Sequence, residues 1–220
     1  MRTAIFDLDG TLVDTSGDML AGANAVFEAN GYGSPLRVED HAAVAFAGGR
    51  AMLEKGASLC GFEWGGRYQE AYEMFLAAYG ANLDRLSVIY PGVEDCLEDL
   101  AVAGWKLAVC TNKPSGLAEE LLQSLGLRSR FGAMIGADTL PVRKPDPEPL
   151  FEAVRQVEGD ASRAILIGDT ITDRKAAANA AMPCVLVTFG PVGAAVAKME
   201  PEGLLAGYDE LPDLLSTLVT

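Results

Sequence analysis

Short apolar runs alternate with helical patterns along the second half of the chain. Between these runs, apolar residues recur every three or four positions, which is the spacing of one helix face. Such alternation is typical of a parallel sheet covered by helices. The predicted strands span residues 4–6, 107–110, 133–135, 164–167 and 185–188, and the tail 204–218 adds one more strand and helix. We therefore predict an α/β fold with a Rossmann-like parallel sheet.

A different pattern occupies the stretch between the first strand and residue 90. Apolar residues there keep helical spacing, and no segment reads convincingly as a strand. Tyr90-Pro91-Gly92 then marks a break before the alternating pattern resumes. We predict a core domain of residues 1–15 and 91–220 and an inserted all-helical domain of residues 16–90.

The charge of the chain limits its partners. Its 220 residues carry 17 Lys and Arg against 31 Asp and Glu, a net charge of -14. Nucleic acids and anionic membranes need a basic face, so neither is an expected partner. The acidity is compatible with the partner that we expect, a small phosphorylated metabolite, because a bound cation reverses the sign of the potential within one site. The sequence does not indicate an oligomeric state.

Cysteines and apolar runs bear on the compartment. The four cysteines show no Cys-x-x-Cys spacing and no uninterrupted apolar run approaches the length of a membrane span. Asp7 and Asp9 interrupt the N-terminal apolar run, which argues against a signal peptide. We expect a cytoplasmic protein. His41 is the single histidine, so a multi-histidine zinc site is excluded and a serine–histidine triad would depend on that one residue.

Two aspartates follow the first predicted strand. Side chains alternate along an extended chain, so Asp7 and Asp9 should point the same way. Neighbouring carboxylates repel each other and raise each other's pKa unless a cation or a proton lies between them. An Asp-Gly hairpin would be the simpler interpretation, but a helical pattern rather than a second strand follows Thr11.

Polar residues also follow two other predicted strands. Carboxyl ends of parallel strands share one edge of a sheet, where ligands bind. These residues are Asp7, Asp9, Thr111, Asn112, Asp169 and Asp173, and Lys144 on a proline-stiffened loop can reach the same edge. Four carboxylates with only oxygen ligands favour Mg2+. Together with Lys144, the cation would bind a phosphoryl dianion, and a carboxylate nucleophile makes an aspartyl-phosphate chemically reasonable.

Each of these residues also has a simpler interpretation. Asp173 suits the acidic first turn of a helix, Thr111-Asn112 suits a helix cap, and Lys144 suits a solvated loop. It is the ordered combination at successive strand ends that indicates a catalytic site.

That combination resembles the four ordered motifs of the haloacid dehalogenase-like hydrolase superfamily. The similarity covers the whole chain and is strongest to phosphoglycolate phosphatase-like members, partly through residues 143–147. The motifs are Asp7-Leu8-Asp9-Gly10-Thr11, Thr111-Asn112, Lys144-Pro145 and Gly168-Asp169-Thr170-Ile171-Thr172-Asp173. The helical insertion resembles the α-helical cap domain of that superfamily. The chain departs from many members at Ala181-Met182-Pro183, where they have Ala-Gly.

The resemblance implies a role for each motif residue. Asp7 would be the nucleophile, and Asp9 would protonate the leaving group and then activate water. Thr111 and Lys144 would hold the phosphoryl oxygens, with Gly10 and Asn112 also contacting the substrate. Asp7, Asp169, Asp173 and the Asp9 backbone carbonyl would hold Mg2+ directly or through water. Dehalogenases of the superfamily lack the second aspartate, so Asp9 favours a phosphatase.

Substrate selection is expected from the insertion. Arg50 sits in a Gly-Gly-Arg segment where relatives place a loop that reaches into the site, and its guanidinium suits a substrate carboxylate or second phosphate. A solvated arginine at the start of a helix is the equal alternative.

The expected function is a Mg2+-dependent phosphatase acting on a small phosphate monoester such as phosphoglycolate. A sugar-phosphate mutase of the same superfamily would retain every core motif and is the main alternative. A response-regulator receiver has a different motif order in a domain about half this length. A non-catalytic phosphate-binding protein has no reason to keep both Asp7 and Asp9.

Overall fold

The computed structural model of the protein describes residues 1–190 and 192–219. The chain divides into two compact units. The core unit comprises Met1–Val13 and Ile89–Thr220, and the helical unit comprises Asp14–Val88.

The elements follow one another as eight strands and nine α-helices in the described residues. The strands are β1 (Thr3–Phe6), β2 (Val13–Asp14), β3 (Val88–Ile89), β4 (Lys106–Cys110), β5 (Ala133–Ile135), β6 (Ala164–Gly168), β7 (Cys184–Val187) and β8 (Gly203–Leu205). The helices are α1 (Ser16–Ala29), α2 (Val38–Phe46), α3 (Gly49–Leu59), α4 (Tyr68–Gly80), α5 (Val93–Val102), α6 (Ser115–Ser124), α7 (Glu148–Gln156), α8 (Ile171–Asn179) and α9 (Leu211–Leu218).

The core unit is built on a six-stranded parallel sheet in the order β5-β4-β1-β6-β7-β8. Strand β1 lies in the middle, where Ile5 pairs with Ala108 of β4 on one side and Leu166 of β6 on the other. All four residues of β1 are buried, as expected for a strand covered by helices on both faces. The predicted α/β, Rossmann-like parallel sheet is confirmed.

The order of the strands decides which loops meet. Strands β4, β1 and β6 are adjacent and parallel. The loops after these three strands therefore leave the same edge of the sheet side by side.

Two short strands were not predicted. β2 and β3 are two residues long and pair with each other outside the main sheet, and a two-residue strand is too short to show an alternating pattern. Before α4 the chain forms a 3-10 turn, Gly65–Arg67, and it becomes α-helical at Tyr68. Gly65 has a φ of 52°, a left-handed value that an α-helix cannot contain.

Within the helical unit, glycines allow close packing. A Cβ on Gly22 of α1 would lie 3.1 Å from the Cα of Tyr79 of α4, so only glycine permits this approach. In the first turn of α1, the buried Asp18 accepts hydrogen bonds from the backbone N–H groups of Leu86 and Ser87 and from the Ser87 hydroxyl. This carboxylate joins the beginning of the helical unit to its end.

The described part of the chain contains no helix with the length and apolar character that crossing a membrane requires.

Candidate active site

The loop after β1 turns sharply and presents Asp7. The Asp7 N–H still donates to the Ile167 carbonyl of β6 at 2.9 Å, so its backbone continues the sheet. Gly10 follows with a φ of 79° and donates to the Val13 carbonyl at 2.8 Å. The Leu8 N–H donates to Asp7 Oδ1 at 2.8 Å, which orients the carboxylate. Glycine is needed at position 10 because the left-handed conformation strains other residues.

Lys144 connects two of the aspartates. Its Nζ lies 3.1 Å from Asp7 Oδ1 and 2.6 Å from Asp173 Oδ1. Its side chain is only 1% exposed, so the ammonium is removed from water and depends on these partners. The solvated-loop interpretation of Lys144 is therefore wrong.

Asp173 serves the helix and the site together. Its Oδ2 accepts from the Thr170 N–H at 3.1 Å and from the Thr170 hydroxyl at 2.7 Å. With Thr170 it forms the capping box of α8. The helix-start interpretation of Asp173 is thus also correct, because Oδ2 caps the helix while Oδ1 is bound to Lys144.

Three carboxylates are grouped closely enough to hold a metal ion. One oxygen each from Asp7, Asp169 and Asp173 lies within 4.8 Å of the others. Asp169 Oδ2 is buried and has no hydrogen-bond partner, while its Oδ1 lies 3.4 Å from the Thr11 hydroxyl. A buried carboxylate oxygen without a partner is costly, and an all-oxygen set is what Mg2+ prefers. These residues fit the expected cation.

The pKa values of the aspartates reflect the crowding. Burial, with the charges of Asp173 and Asp9, raises the pKa of Asp7 to about 6 against the opposing effect of Lys144. Burial and the charges of Asp173 and Asp7 likewise raise the pKa of Asp169. For Asp173, burial is outweighed by the charge and hydrogen bond of Lys144, so its pKa is lowered. The negative charges of the aspartates are only partly balanced by Lys144, and a divalent cation would supply the remaining positive charge.

The loop after β4 provides polar groups beside this cluster. Thr111 is 3% exposed, and its Oγ1 accepts from the Lys113 N–H at 3.2 Å. Asn112 is exposed, and its side-chain amide donates to the Lys144 carbonyl at 2.9 Å. Asn112 therefore ties the Lys144 loop to the β4 loop, and its contact with substrate stays a prediction.

Lys113 was not singled out from the sequence. Its Nζ lies 2.8 Å from Asp9 Oδ1, and the lysine side chain is 3% exposed. The site thus holds two ammonium groups rather than the one expected. The position of Lys113 directly after Thr111-Asn112, close to a strand end, was the sequence signal that could have indicated its role.

Arg50 belongs to the helical unit. It lies in the first turn of α3, where its Nε donates to Glu54 Oε1 at 2.9 Å and its guanidinium lies 5.0 Å from the centre of the Tyr68 ring. Its side chain is 72% exposed. These contacts are those of a solvated helix residue in this unit, and a substrate contact of Arg50 stays a prediction.

Comparison with known proteins identifies the family of the chain. Residues 4–187 match the family described as haloacid dehalogenase-like hydrolase. The phosphoglycolate phosphatase of Caulobacter vibrioides is 38% identical over 99% of the chain and 92% of its own length, and that of Agrobacterium fabrum is 38% identical over 99% and 94%.

A solved structure supports the fold. The crystal structure of a predicted phosphoglycolate phosphatase from Haemophilus somnus superposes with a TM-score of 0.86 at 24% identity, covering 97% of each chain. The family match and the named relatives place the chain among phosphoric monoester hydrolases. The match over residues 4–187 and the relatives at 38% identity show that the chain belongs to the haloacid dehalogenase-like hydrolase family.

Proposed function

We propose that the protein is a Mg2+-dependent phosphatase that hydrolyses a small phosphate monoester, of which phosphoglycolate is the first candidate. The observation that carries the proposal is the buried group of Asp7, Asp169 and Asp173 with Lys144 between two of its members. Phosphoglycolate is chosen because the two relatives at 38% identity are named phosphoglycolate phosphatase.

Asp7 is proposed as the nucleophile. One of its carboxylate oxygens attacks phosphorus in line with the leaving oxygen and forms an aspartyl-phosphate. Leu8 N–H and Lys144 hold Oδ1, which orients the side chain for the attack. When bound by Asp7, Asp169, Asp173 and the Asp9 carbonyl, Mg2+ neutralises the carboxylates so that a dianion can enter.

Asp9 is proposed as the general acid and base. It first donates a proton to the departing alkoxide and then removes one from the water that attacks the aspartyl-phosphate. Thr111 and Lys144 are proposed to bind the non-bridging phosphoryl oxygens, with Gly10 and Asn112 nearby. The buried hydroxyl of Thr111 and the buried ammonium of Lys144 are suited to this, since both are donors held in place.

The helical unit is proposed as the cap domain that selects the substrate. Groups that bind only a phosphoryl group cannot distinguish one ester from another, so discrimination has to come from contacts with the rest of the molecule. Arg50 is the proposed contact for a substrate carboxylate. A cytoplasmic location is part of the proposal, because the four cysteines are free thiols.

A screen of phosphate monoesters against the purified protein tests the proposal. We expect release of inorganic phosphate that requires Mg2+ and is abolished by excess EDTA, with phosphoglycolate among the best substrates. Ca2+ should inhibit because its looser, higher coordination disturbs in-line geometry. Substantial turnover in excess EDTA would contradict the metal requirement.

A second assay distinguishes a phosphatase from a mutase. Incubated with a sugar phosphate and a bisphosphate primer, a mutase returns an isomer with little free phosphate. Phosphorus NMR of the mixture should instead show that inorganic phosphate accumulates.

A further inference from the structure

Two lysines are buried among the described residues, Lys113 and Lys144. Burying an ammonium is unfavourable unless an anion compensates it. Lys144 is compensated by Asp7 and Asp173, whereas the Nζ of Lys113 lies 2.8 Å from Asp9 Oδ1. The two ammonium groups are thus paired with different aspartates of the site.

The backbone around Lys113 is held at a defined place. Its N–H donates to Thr111 Oγ1 at 3.2 Å, and its carbonyl accepts from the Ala137 N–H at 2.9 Å. The Asn112 amide next to it is bound to the Lys144 carbonyl. These contacts connect the loops after β4 and β5, so the lysine projects from a fixed turn rather than from a mobile one.

The Asp9 carboxylate is more accessible than its partner. Its side chain is 17% exposed, against 3% for Lys113. The pair therefore has a buried ammonium end and a carboxylate end that reaches solvent. With Oδ1 bound to Lys113, the rotation of the carboxylate is restricted.

We propose that Lys113 is a positioning residue that holds Asp9 in the orientation needed to exchange a proton with the leaving group and with water. This inference rests on the proposed function, because it assigns Lys113 a role only through Asp9. A general acid has to lie within hydrogen-bond reach of the atom it protonates, so a misdirected carboxylate loses its effect.

The first test compares leaving groups in the full-length protein with Mg2+. Phenyl phosphate and 4-nitrophenyl phosphate differ little in shape, but nitrophenol is much more acidic and leaves without a proton. In Lys113→Met, kcat/KM for phenyl phosphate should fall by roughly 10- to 100-fold. This is a part of the rate acceleration of about 10²–10⁴-fold that a general acid contributes. For 4-nitrophenyl phosphate the fall should stay below about 3-fold. Lys175→Met, at an exposed position of α8, is the control and should change neither value.

A residue that only binds phosphate would behave differently. Its loss lowers kcat/KM for both esters by the same factor, since both carry the same phosphoryl group. Equal losses, or no loss with either ester, would overturn the proposal.

A double-mutant cycle provides the second test. It also tests the proposal if Lys113→Met alone has a folding defect. Asp9→Asn combined with Lys113→Met removes both charges, so no ammonium or carboxylate of the pair is left uncompensated. If Lys113 acts through Asp9, adding Lys113→Met to Asp9→Asn should change turnover by less than about 3-fold, because residues in one network are not additive. A further 10-fold loss in the Asp9→Asn background would show an independent role.

The two proposals fail in different ways. If the wild-type protein releases no phosphate from any ester, the proposed function fails. If the wild-type protein is active and the cycle is additive, only the role of Lys113 is wrong.

Discussion

Lys144 Nζ lies 2.6 Å from Asp173 Oδ1, and the two side chains are 1% and 0% exposed. Burial lowers the pKa of Lys144, but the charges of Asp173 and Asp7 outweigh it and leave the pKa raised. The pair is therefore charged in the folded protein. It also connects the loop after β5 to the first turn of α8, so one contact serves both stability and the site.

Lys144→Met should strongly destabilise the protein. Without the ammonium, Asp7 and Asp173 are left uncompensated in a buried position, and breaking a buried pair costs about 3–5 kcal/mol. Urea unfolding in the presence of EDTA measures this loss without a contribution from metal. Lys175→Met should change the free energy of unfolding by less than about 0.5 kcal/mol, as is usual at the surface. A loss below about 1 kcal/mol in Lys144→Met would show that the pair does not stabilise the fold.

Substitution of the two aspartates after β1 should have different effects. Asp7→Asn should lose nearly all turnover and form no phosphoenzyme, because an amide is a poor nucleophile. Asp9→Asn should slow both phosphorylation and dephosphorylation, with a loss on the order of 10²–10⁴-fold. Acid-quench experiments that trap the phosphoenzyme distinguish the two. Wild-type turnover in Asp7→Asn would refute its assignment as nucleophile.

Arg50→Ala tests the proposed substrate contact in the helical unit. Turnover of a carboxylate-bearing substrate such as phosphoglycolate should fall by roughly 10- to 100-fold, equivalent to about 1.4–2.7 kcal/mol. Turnover of a phosphate ester with an uncharged aromatic leaving group should hardly change. The ratio of the two activities is the informative quantity, because a folding defect lowers both together.

Arg37→Ala is a matched control for Arg50→Ala. Arg37 also forms an exposed ion pair near the start of a helix of the same unit, with Asp40 at 2.8 Å, and its side chain is 68% exposed. It should leave the ratio unchanged. The same ratio in wild type, Arg37→Ala and Arg50→Ala would make Arg50 an ordinary surface residue.

A prediction of pH dependence concerns Glu119, away from the acidic cluster. Its carboxylate accepts from Arg128 Nε at 2.7 and 2.9 Å and from Gln123 at 2.9 Å. The hydrogen bond from Arg128 lowers the pKa of Glu119 below its ordinary value of 4.5, against a smaller effect of burial. A lowered folded-state pKa means that the stabilisation is present above pH 4.5 and is lost as the pH falls through the lowered pKa.

Glu119→Gln should therefore be less stable than wild type by about 0.5 kcal/mol at pH 7, a value for a partly exposed pair. The difference should shrink as the pH falls below 4.5, and thermal unfolding over a pH series measures it. Glu120→Gln at the exposed neighbouring position should show no such trend. A difference that grows on acidification would contradict the assignment.

Ala181 lies two residues beyond the end of α8 and is in the left-handed region, with a φ of 52°. The turn is closed by hydrogen bonds from the Ala181 N–H to the Ala178 carbonyl and from the Met182 N–H to the Ala177 carbonyl. A residue with a Cβ pays about 1–2 kcal/mol for this conformation. Glycine avoids that strain but loses about 0.4–1 kcal/mol through a more flexible unfolded chain.

Ala181→Gly should then stabilise the protein by about 0.5–1 kcal/mol, as the balance of these two effects. Ala178→Gly, at an exposed helical position of α8, should instead destabilise it by about 1 kcal/mol. Urea unfolding of both variants checks the opposite signs, and a destabilised Ala181→Gly would show that the turn carries little strain.

The fold class followed from local patterns in the sequence. The run 4–6 and the runs 107–110 and 164–167 are apolar throughout, which indicates strands buried on both faces. Because carboxyl ends of parallel strands share an edge, the same patterns indicated which polar residues would gather. The close approach of Asp7, Asp169 and Asp173 agrees with this.

Other features depended on contacts between distant parts of the chain. The pairing of Lys113 with Asp9 spans 104 positions and that of Lys144 with Asp173 spans 29, and no local pattern encodes a partner at such a separation. The same reason applies to Asn112, whose amide binds the Lys144 carbonyl rather than standing free. The two-residue strands β2 and β3 were also missed, because each exists only through pairing with the other.

Periodicity and residue type are local properties, so the strands of the main sheet and the kinds of chemical group at their ends could be predicted from the sequence. Tertiary structure alone decided which ammonium compensates which carboxylate. It also decided which oxygens remain unpaired, such as Asp169 Oδ2. Burial and partners decide whether a charged side chain is solvated or part of a site, and both are set only when the loops meet.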